Sequence, residues 1–229
     1  MMSSCGGTLQ RTPLKRSGAV TESKALHPAI SICTGRRRMR SEYAAYLRDR
    51  GWARLLLRRL FFLPVRRFFN GRVLDIGSGI GEFLEIYRDA VGVDRDMDNV
   101  SYCAGRGRQC LCADAYSLPF REGSFDGVLL SNVLEHLEHP DAAMKEVTRV
   151  LRDGGRIMVE LPGRKGYAFD STHVRFWGET DIVSYLTLHG FRDIRASYFP
   201  VPCERAGDVL THNKLRVYAV YAQRETSDG

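Results

Sequence analysis

The segment Val73–Phe83 constrains the fold more than any other part of the chain, because a strand, a glycine-rich turn and a helix start follow one another there. Its first residues, Val-Leu-Asp-Ile, have the apolar content of a buried parallel strand. Glycines at positions 77, 79 and 81 let the backbone pass close to a ligand. The helix predicted from Glu82 to Tyr87 directs its first N–H groups at that ligand. The Gly-x-Gly-x-Gly spacing is one residue tighter than the Gly-x-Gly-x-x-Gly of dinucleotide sites.

An acid, Asp75, lies two residues before the first of these glycines. A carboxylate at that position would repel a pyrophosphate and attract a positively charged group. The loop therefore predicts a nucleotide-like ligand that carries a positive charge near Asp75.

Strand and helix patterns alternate from Arg72 onward, which predicts an α/β fold with a doubly wound, mostly parallel, Rossmann-like sheet. Ligands bind such a sheet at the carboxyl ends of its strands. The last strand alternates enough to be predicted at an edge of the sheet, and Gly190 is expected to end the helix before it. The predicted strands are Val73–Ile76, Ala90–Val93 (ending at Asp94), Cys110–Ala113, Phe125–Leu130, Arg156–Leu161, Phe191–Phe199 and Leu215–Ala222. The predicted helices are Gly81–Arg88, Asp98–Arg106, Pro140–Val150 and Glu179–His189.

The net charge of +7 is unevenly distributed along the chain. Residues 1–70 hold 15 Lys and Arg against 3 Asp and Glu, a net +12, whereas residues 71–229 hold 19 against 24, a net −5. We expect a disordered basic tail over residues 1–38, a basic amphipathic helical arm over 39–70, the ligand-binding domain over 71–222 and a disordered C-terminus over 223–229. Because the basic excess belongs to the arm, the isoelectric point alone is a weak argument for nucleic-acid binding.

Two further acids follow predicted strands. Asp94 ends the second strand, 19 residues after Asp75, where a doubly wound fold binds a ribose diol. Asp114 follows the third strand in Ala113-Asp-Ala115, before Ser-Leu-Pro-Phe at 117–120. Taken singly, each acid has an ordinary alternative, a turn residue for Asp94 and a solvent-facing loop residue for Asp114.

Taken together, these motifs resemble the type-11 group of class I S-adenosylmethionine-dependent methyltransferases. That group carries an acid–glycine loop, an acid after strand two, D-A-x-x-L-P-F after strand three, S-F-D into strand four and L-x-x-G-G before strand five. The chain matches every step, with Ser124-Phe-Asp126 and Leu151-Arg-Asp-Gly-Gly155 as the last two. The resemblance is strong over residues 72–162 and looser to 222, and it implies the class I methyltransferase fold.

The resemblance also implies a set of cofactor-binding residues. The residues of the glycine loop would hold the amino-acid half of S-adenosylmethionine. The residues after strands two and three would bind the ribose and the adenine. The residues after strand four would approach the sulfonium. These residues are Asp75, Gly77, Ser78, Gly79, Gly81, Asp94, Arg95, Asp114, Ala115, Ser131 and Asn132. Because the sulfonium is already activated, positioning of the acceptor supplies much of the rate acceleration.

Two histidines are candidates for a general base, which a hydroxyl acceptor would need. His136 follows strand four, and His173 lies in a loop after strand five that commonly shapes the acceptor pocket in this group. Both have structural alternatives, helix capping or packing for His136 and a structural hydrogen bond for His173. Some similar O-methyltransferases bind a divalent metal through Glu-x-x-Glu-His and a further His. Here Asn132 replaces the first Glu of that motif, so no metal is expected.

The arm interleaves arginines with apolar side chains over residues 41–69, and three interpretations remain open. It could pack as a helical cap over the cofactor cleft, which is favoured because many class I methyltransferases place helices there. It could lie on an anionic membrane as a basic amphipathic helix. It could contact nucleic acid, although no RNA-binding module accompanies it. Pro64 is expected to end or kink the second of its helices.

The favoured function is methyl transfer from S-adenosylmethionine to a small-molecule, glycan or lipid-linked acceptor, as O- or N-methylation. A tRNA-modifying methyltransferase is the alternative within the class. A nicotinamide-dependent oxidoreductase and a non-catalytic methyltransferase-like binding module are the alternatives outside it. The tight glycine spacing and Asp75 argue against the former, and the intact acids argue against the latter. We expect a cytoplasmic protein, with peripheral contact at the inner membrane face as a variant, and assign no oligomeric state.

Overall fold

A single seven-stranded sheet organises the part of the chain that the computed structural model describes, which is the backbone of residues 52–222 and the side chains of residues 60–222. The strand order is β3-β2-β1-β4-β5-β7-β6, and every pair is parallel except those of β7 with β5 and β6. The strands are β1 (Val73–Ile76), β2 (Ala90–Asp94), β3 (Cys110–Cys112), β4 (Phe125–Ser131), β5 (Leu151–Pro162), β6 (Phe191–Phe199) and β7 (Lys214–Tyr221). The predicted α/β, mostly parallel, Rossmann-like sheet is confirmed.

Helices flank the sheet and close the connections between its strands. They are α1 (Trp52–Phe68), α2 (Met97–Ala104), α3 (Pro140–Val150), α4 (Arg164–Phe169), α5 (Glu179–Leu188) and α6 (Ala206–Val209), with one 3₁₀ turn at Leu134–His136. Pro140 stands at the start of α3, where its missing N–H costs nothing. Gly190, with φ of 85°, follows α5 and donates to the carbonyl of Thr187, as expected for a helix-ending glycine.

Two predicted elements are wrong. The segment Gly81–Arg88 is a series of turns rather than a helix, with Glu85 N donating to Gly81 O and Tyr87 N to Phe83 O. Gly81 has φ of 75°, so only about two helical turns remain before β2 begins at Ala90, and so short a helix barely repays its nucleation.

The strand predicted at Leu215–Ala222 is not at an edge. As β7 it pairs with β5 on one side and β6 on the other, and β6 forms the edge instead. Its alternating polar residues suggested a solvent face, but Arg216 is only 1% exposed and pairs with Glu160 of β5.

The described part of the arm packs on one face of the sheet. Phe62, Val65 and Phe69 are buried in a cluster with Leu129 of β4 and Met158 of β5. The helix runs through Pro64 to Phe68, so it does not end at Pro64, and the other alternative, a kink there, stays a prediction. The opposite face holds a larger cluster that includes residues of α3 and α5. Predictions for residues 1–38 and 223–229, and for the start of the arm, lie outside the described residues.

No helix within residues 52–222 combines the length and the apolar character needed to cross a bilayer.

Candidate functional site

The carboxyl ends of the five parallel strands and the amino end of antiparallel β7 form a continuous row, and the predicted site residues lie along it. Asp94 of β2 is level with Cys112 of β3, and Ile76 of β1 is level with Val93 on one side and Leu130 on the other. Ser131 of β4 is level with Glu160 of β5, which is level with Arg216 of β7. The order of the parallel strands reverses at β1, and ligands of open α/β sheets bind at such a point.

The glycine loop after β1 depends on backbone conformations that other residues rarely adopt. Gly77, Gly79 and Gly81 have φ of 71°, 54° and 75°. A Cβ at Gly77 would lie 2.5 Å from Val133 Cγ2, and one at Gly81 would lie 2.8 Å from Cys103 Sγ. A Cβ at Gly79 would meet no atom within 4 Å, so this glycine borders open space and is needed for its conformation alone.

The loop is tied to β2 through its own N–H groups. Gly77 N and Ser78 N both donate to Val93 O, at 2.8 and 3.0 Å. Gly79 N donates to Asp94 Oδ2 at 2.8 Å, and Gly81 N to Ser78 O at 2.9 Å. The prediction that a helix over Glu82–Tyr87 directs its first N–H groups at the ligand is wrong because that segment forms turns. The loop instead offers a close approach of its backbone and the acids on either side of it.

Asp75 is a buried acid beneath this loop. It is 4% exposed, and its pKa is raised well above the usual range by burial and by the neighbouring Cys110, Asp94 and Glu82. A ligand with a positive charge would offset both effects. The arrangement thus fits an ammonium or sulfonium ligand better than an anionic one.

Asp94 combines a structural role with free binding capacity. Its Oδ2 accepts from Gly79 N, and its Oδ1 accepts from Asp96 N at 2.8 Å. Each carboxylate oxygen has a second lone pair, so a ribose diol can still donate to it. Burial raises the pKa of Asp94, and the hydrogen bonds from Asp96 and Gly79 oppose that rise. Arg95, the next residue, is exposed beside it.

The predicted adenine-side residues follow β3. Asp114 is exposed, and its Oδ1 accepts from Tyr116 N at 3.0 Å, which shapes the turn. Ala115 is half-buried and packs against the core. Asp114 is therefore solvent-facing, as in its ordinary alternative, and also shapes a turn, while its other carboxylate oxygen remains at the edge of the row.

The predicted sulfonium-side residues follow β4. Ser131 Oγ donates to Glu160 Oε1 at 3.1 Å, and Asn132 N donates to Glu160 O at 2.9 Å. Asn132 has φ of 53°, a conformation that asparagine tolerates better than most residues. Backbone strain of this kind concentrates at binding sites.

A buried ionic network next to these residues escaped sequence analysis. Glu160, 3% exposed, accepts from Lys214 Nζ at 2.9 Å and from Arg216 Nε at 2.7 Å. Burial alone would raise its pKa, but the two cations outweigh burial and lower the pKa to about 2. The Arg216 guanidinium also lies 4.1 Å from the ring centroid of Phe199 and 5.4 Å from that of Phe61 in α1. The only sequence signal was a charged residue in each of two apolar strands.

Both predicted histidines meet at this edge, together with Glu135. The ring centroids of His136 and His173 are 4.6 Å apart, and His173 Nε2 lies 3.9 Å from Glu135 Oε1. One ligand-type atom from each of the three residues lies within 4.8 Å of the others. Burial raises the pKa of Glu135 to about 8, while burial and the adjacent His173 lower the pKa of His136. We call these three residues the Glu–His–His cluster.

The comparisons with known proteins agree with this geometry. A family model described as a methyltransferase domain, of the type-11 group, matches residues 74–159, which run from β1 to β5. Residues 74–159 therefore form a methyltransferase domain of the type-11 group, within a chain that has the class I methyltransferase fold. The protein is thus an S-adenosylmethionine-dependent methyltransferase, with S-adenosylmethionine as its cofactor.

A solved S-adenosylmethionine-dependent methyltransferase from Archaeoglobus fulgidus has the same fold, with a TM-score of 0.62 and 23% identity over 78% of this chain and 99% of that one. A Xenopus tropicalis tRNA (carboxymethyluridine(34)-5-O)-methyltransferase, alkbh8, is 36% identical over 92 residues, 38% of this chain and 15% of that protein. The ubiquinone/menaquinone biosynthesis C-methyltransferase UbiE of Burkholderia mallei is 33% identical over 103 residues, 39% of this chain and 42% of that one. The chain therefore spans less than half the length of either relative.

The structure fits the cofactor. Asp75 would supply a buried carboxyl to the amino-acid half, which carries an ammonium group, and Gly79 leaves the space above the loop open. The bound cofactor would supply a methyl group on a sulfonium. The described residues would supply the rest: a loop close to the ligand, an acid for the ribose, and a polar acceptor side at the ends of β4 and β5.

Proposed function

We propose that the protein transfers a methyl group from S-adenosylmethionine to an oxygen or nitrogen of a small-molecule, glycan or lipid-linked acceptor. The observation that carries this proposal is the position of the Glu–His–His cluster beside Ser131 and Asn132, at the carboxyl end of β4. An acceptor carbon that is already nucleophilic has less need of a cluster that removes a proton. A hydroxyl must lose its proton as it is methylated, and this cluster lies where that proton would be taken up.

The tautomers of the two histidines support an acceptor-side role. Thr172 Oγ1 donates to Asp170 Oδ1 at 2.7 Å, so both its hydroxyl and its carbonyl oxygen act as acceptors toward His136 Nδ1. His173 Nδ1 donates to Tyr167 O at 2.8 Å. Both rings thus keep an Nε2 lone pair. Such a cluster can take a proton directly or hold a cation that acidifies the acceptor.

Methylation of tRNA is the second candidate, and it rests on the likeness to the tRNA methyltransferase over 92 residues. The UbiE relative acts in quinone biosynthesis, as its name states, and it favours a small acceptor instead. The rest of each relative is not aligned with this chain, so the acceptor of neither relative can be assigned directly to this protein. A cytoplasmic location is part of the proposal, with peripheral membrane contact through residues 41–69 as its variant.

The decisive experiment has two stages. Calorimetry with S-adenosylmethionine, S-adenosylhomocysteine and NAD should show binding of the two sulfur ligands and none of NAD. Labelled S-adenosylmethionine is then incubated with separate pools of small metabolites, glycans, lipids and tRNA, and the labelled pool identifies the acceptor class. Label appearing only in tRNA would replace the first candidate with the second, and a folded protein that binds neither sulfur ligand would refute both.

A further inference from the structure

The most unusual buried group at the site is the carboxyl of Glu135. The residue is 1% exposed, and neither Oε1 nor Oε2 accepts a hydrogen bond from a described residue. An unpartnered buried carboxyl costs folding free energy, and such groups in native proteins call for an explanation. Lys214 is nearby, but its ammonium is held by Glu160 at 2.9 Å.

The atoms around Glu135 are those of a metal site. The Glu135 Oε1 to His173 Nε2 distance is 3.9 Å, and one ligand-type atom of His136 completes a group within 4.8 Å. With metal–ligand bonds of about 2.0–2.2 Å, two ligand atoms on a tetrahedral ion are about 3.4 Å apart. Side-chain shifts of about 1 Å would therefore bring all three onto one ion.

The surroundings of the two imidazoles are also those of metal ligands. A ligating histidine almost always donates its other ring N–H to a carbonyl or carboxylate, which fixes the ring and its tautomer. His173 Nδ1 lies 2.8 Å from Tyr167 O, and the rings of these two residues are stacked. His136 Nδ1 lies 3.3 Å from Thr172 O, and Thr172 is held in turn by Asp170. Both Nε2 atoms are thus left with a lone pair on a ring that is already oriented.

We propose that Glu135, His136 and His173 bind one divalent transition-metal ion on the acceptor side of the cofactor. Two imidazoles and one carboxylate suit zinc, iron, cobalt or manganese, and they suit magnesium and calcium poorly because those ions prefer oxygen ligands. The acid that Asn132 replaces is not needed, because Glu135, His136 and His173 already provide three ligands. A site with three protein ligands keeps positions open for a substrate.

The role of the ion in methyl transfer rests on the proposed function. An acceptor hydroxyl bound at an open position would have its pKa lowered by the ion, as water does on zinc. The hydroxyl proton then leaves to solvent, the S–CH₃ bond breaks and the O–CH₃ bond forms. S-adenosylhomocysteine leaves as the second product. Metal binding itself is tested without any acceptor.

The test is a titration of chelator-treated, full-length protein with Co²⁺, followed by visible absorption, and with Zn²⁺, followed by calorimetry. We expect one equivalent of each ion to bind, with proton release. Glu135→Gln and His173→Gln keep the size of the side chain, and each should weaken binding at least tenfold. His139→Gln, at an exposed histidine three residues from His136, should leave binding unchanged.

Further arms distinguish the outcomes. Cys110→Ser should not change the Zn²⁺ affinity, and a loss there would assign the ion to thiols and overturn the proposal. Equal affinity in wild type and Glu135→Gln would overturn it too, as would displacement of Co²⁺ by equimolar Mg²⁺. Each variant is checked for S-adenosylhomocysteine binding, which should persist. Retained cofactor binding without metal binding would refute this inference alone, whereas loss of cofactor binding in wild type would refute the proposed function.

Discussion

The donor half and the acceptor half of the site are built by different means. The donor half is a glycine loop whose shape depends on backbone conformation, and its ties to Asp94, Cys103 and Cys110 span 15, 24 and 32 residues. The acceptor half is held by side chains distant in sequence, with Glu160 and Arg216 separated by 56 residues and His136 and Thr172 by 36. Local motifs therefore encode the donor half, and the topology of the sheet assembles the acceptor half.

The largest effect is expected in the acceptor half. Glu160→Gln leaves Arg216, which is 1% exposed, without its charged partner. Removing one member of a buried ion pair costs about 3–5 kcal/mol of the free energy of unfolding, measured by urea denaturation. Glu85→Gln, which breaks the half-exposed pair with Arg108, is the control and should cost about 1 kcal/mol or less. Equal losses of unfolding free energy in the two variants would show that the buried network stabilises the acceptor half no more than a half-exposed ion pair does.

The same network predicts a pH dependence. Burial raises the pKa of Glu160, but Lys214 and Arg216 outweigh burial and hold it at about 2, below the ordinary 4.5. A depressed pKa stabilises the fold above pH 4.5, and this contribution disappears as the pH falls toward 2. The stability difference between wild type and Glu160→Gln should shrink by about 3 kcal/mol from pH 5 to pH 2. A constant difference would contradict the assigned pairing.

In the donor half, alanine substitutions of Gly77 and Gly79 should lower the free energy of unfolding by different amounts. Gly79→Ala forces a left-handed conformation on alanine, at about 1–2 kcal/mol. Gly77→Ala adds the contact with Val133 Cγ2, for a total of about 2–3 kcal/mol. Both values are read from urea denaturation. The same loss in both variants would mean that the loop moves to relieve the clash.

The last prediction concerns the ribose and affects cofactor binding rather than the stability of the fold. Asp94→Ala should weaken S-adenosylhomocysteine binding by about 1–3 kcal/mol, measured by calorimetry, because hydrogen bonds to a charged acceptor are lost. Asp98→Ala, at an exposed acid in the first turn of α2, should leave the affinity unchanged. An unaltered affinity in Asp94→Ala would limit Asp94 to its structural role of holding Gly79.

Sequence analysis succeeded where a motif is short and continuous. It predicted β1, the acid at the end of β2, the bounds of α3 and the class of the cofactor. It failed at Gly81–Arg88, where a helix pattern is interrupted by a glycine of positive φ, and at β7, where Arg216 alternates as a solvent-facing residue would. In both cases the residue pattern itself was correctly described, but the sequence of the segment does not show which other parts of the fold surround it.

The sequence by itself determined the methyltransferase motifs, the cofactor and the order of the strands along the chain, because glycine conformation and strand periodicity act over short segments of chain. Only the tertiary structure decided what lies opposite the donor loop. It paired β7 with β5, placed Arg216 against Glu160, and brought His173 to Glu135. These charges can be buried because their partners lie on other strands. Which strands lie next to each other depends on the strand order of the sheet, and no single segment of the sequence specifies that order.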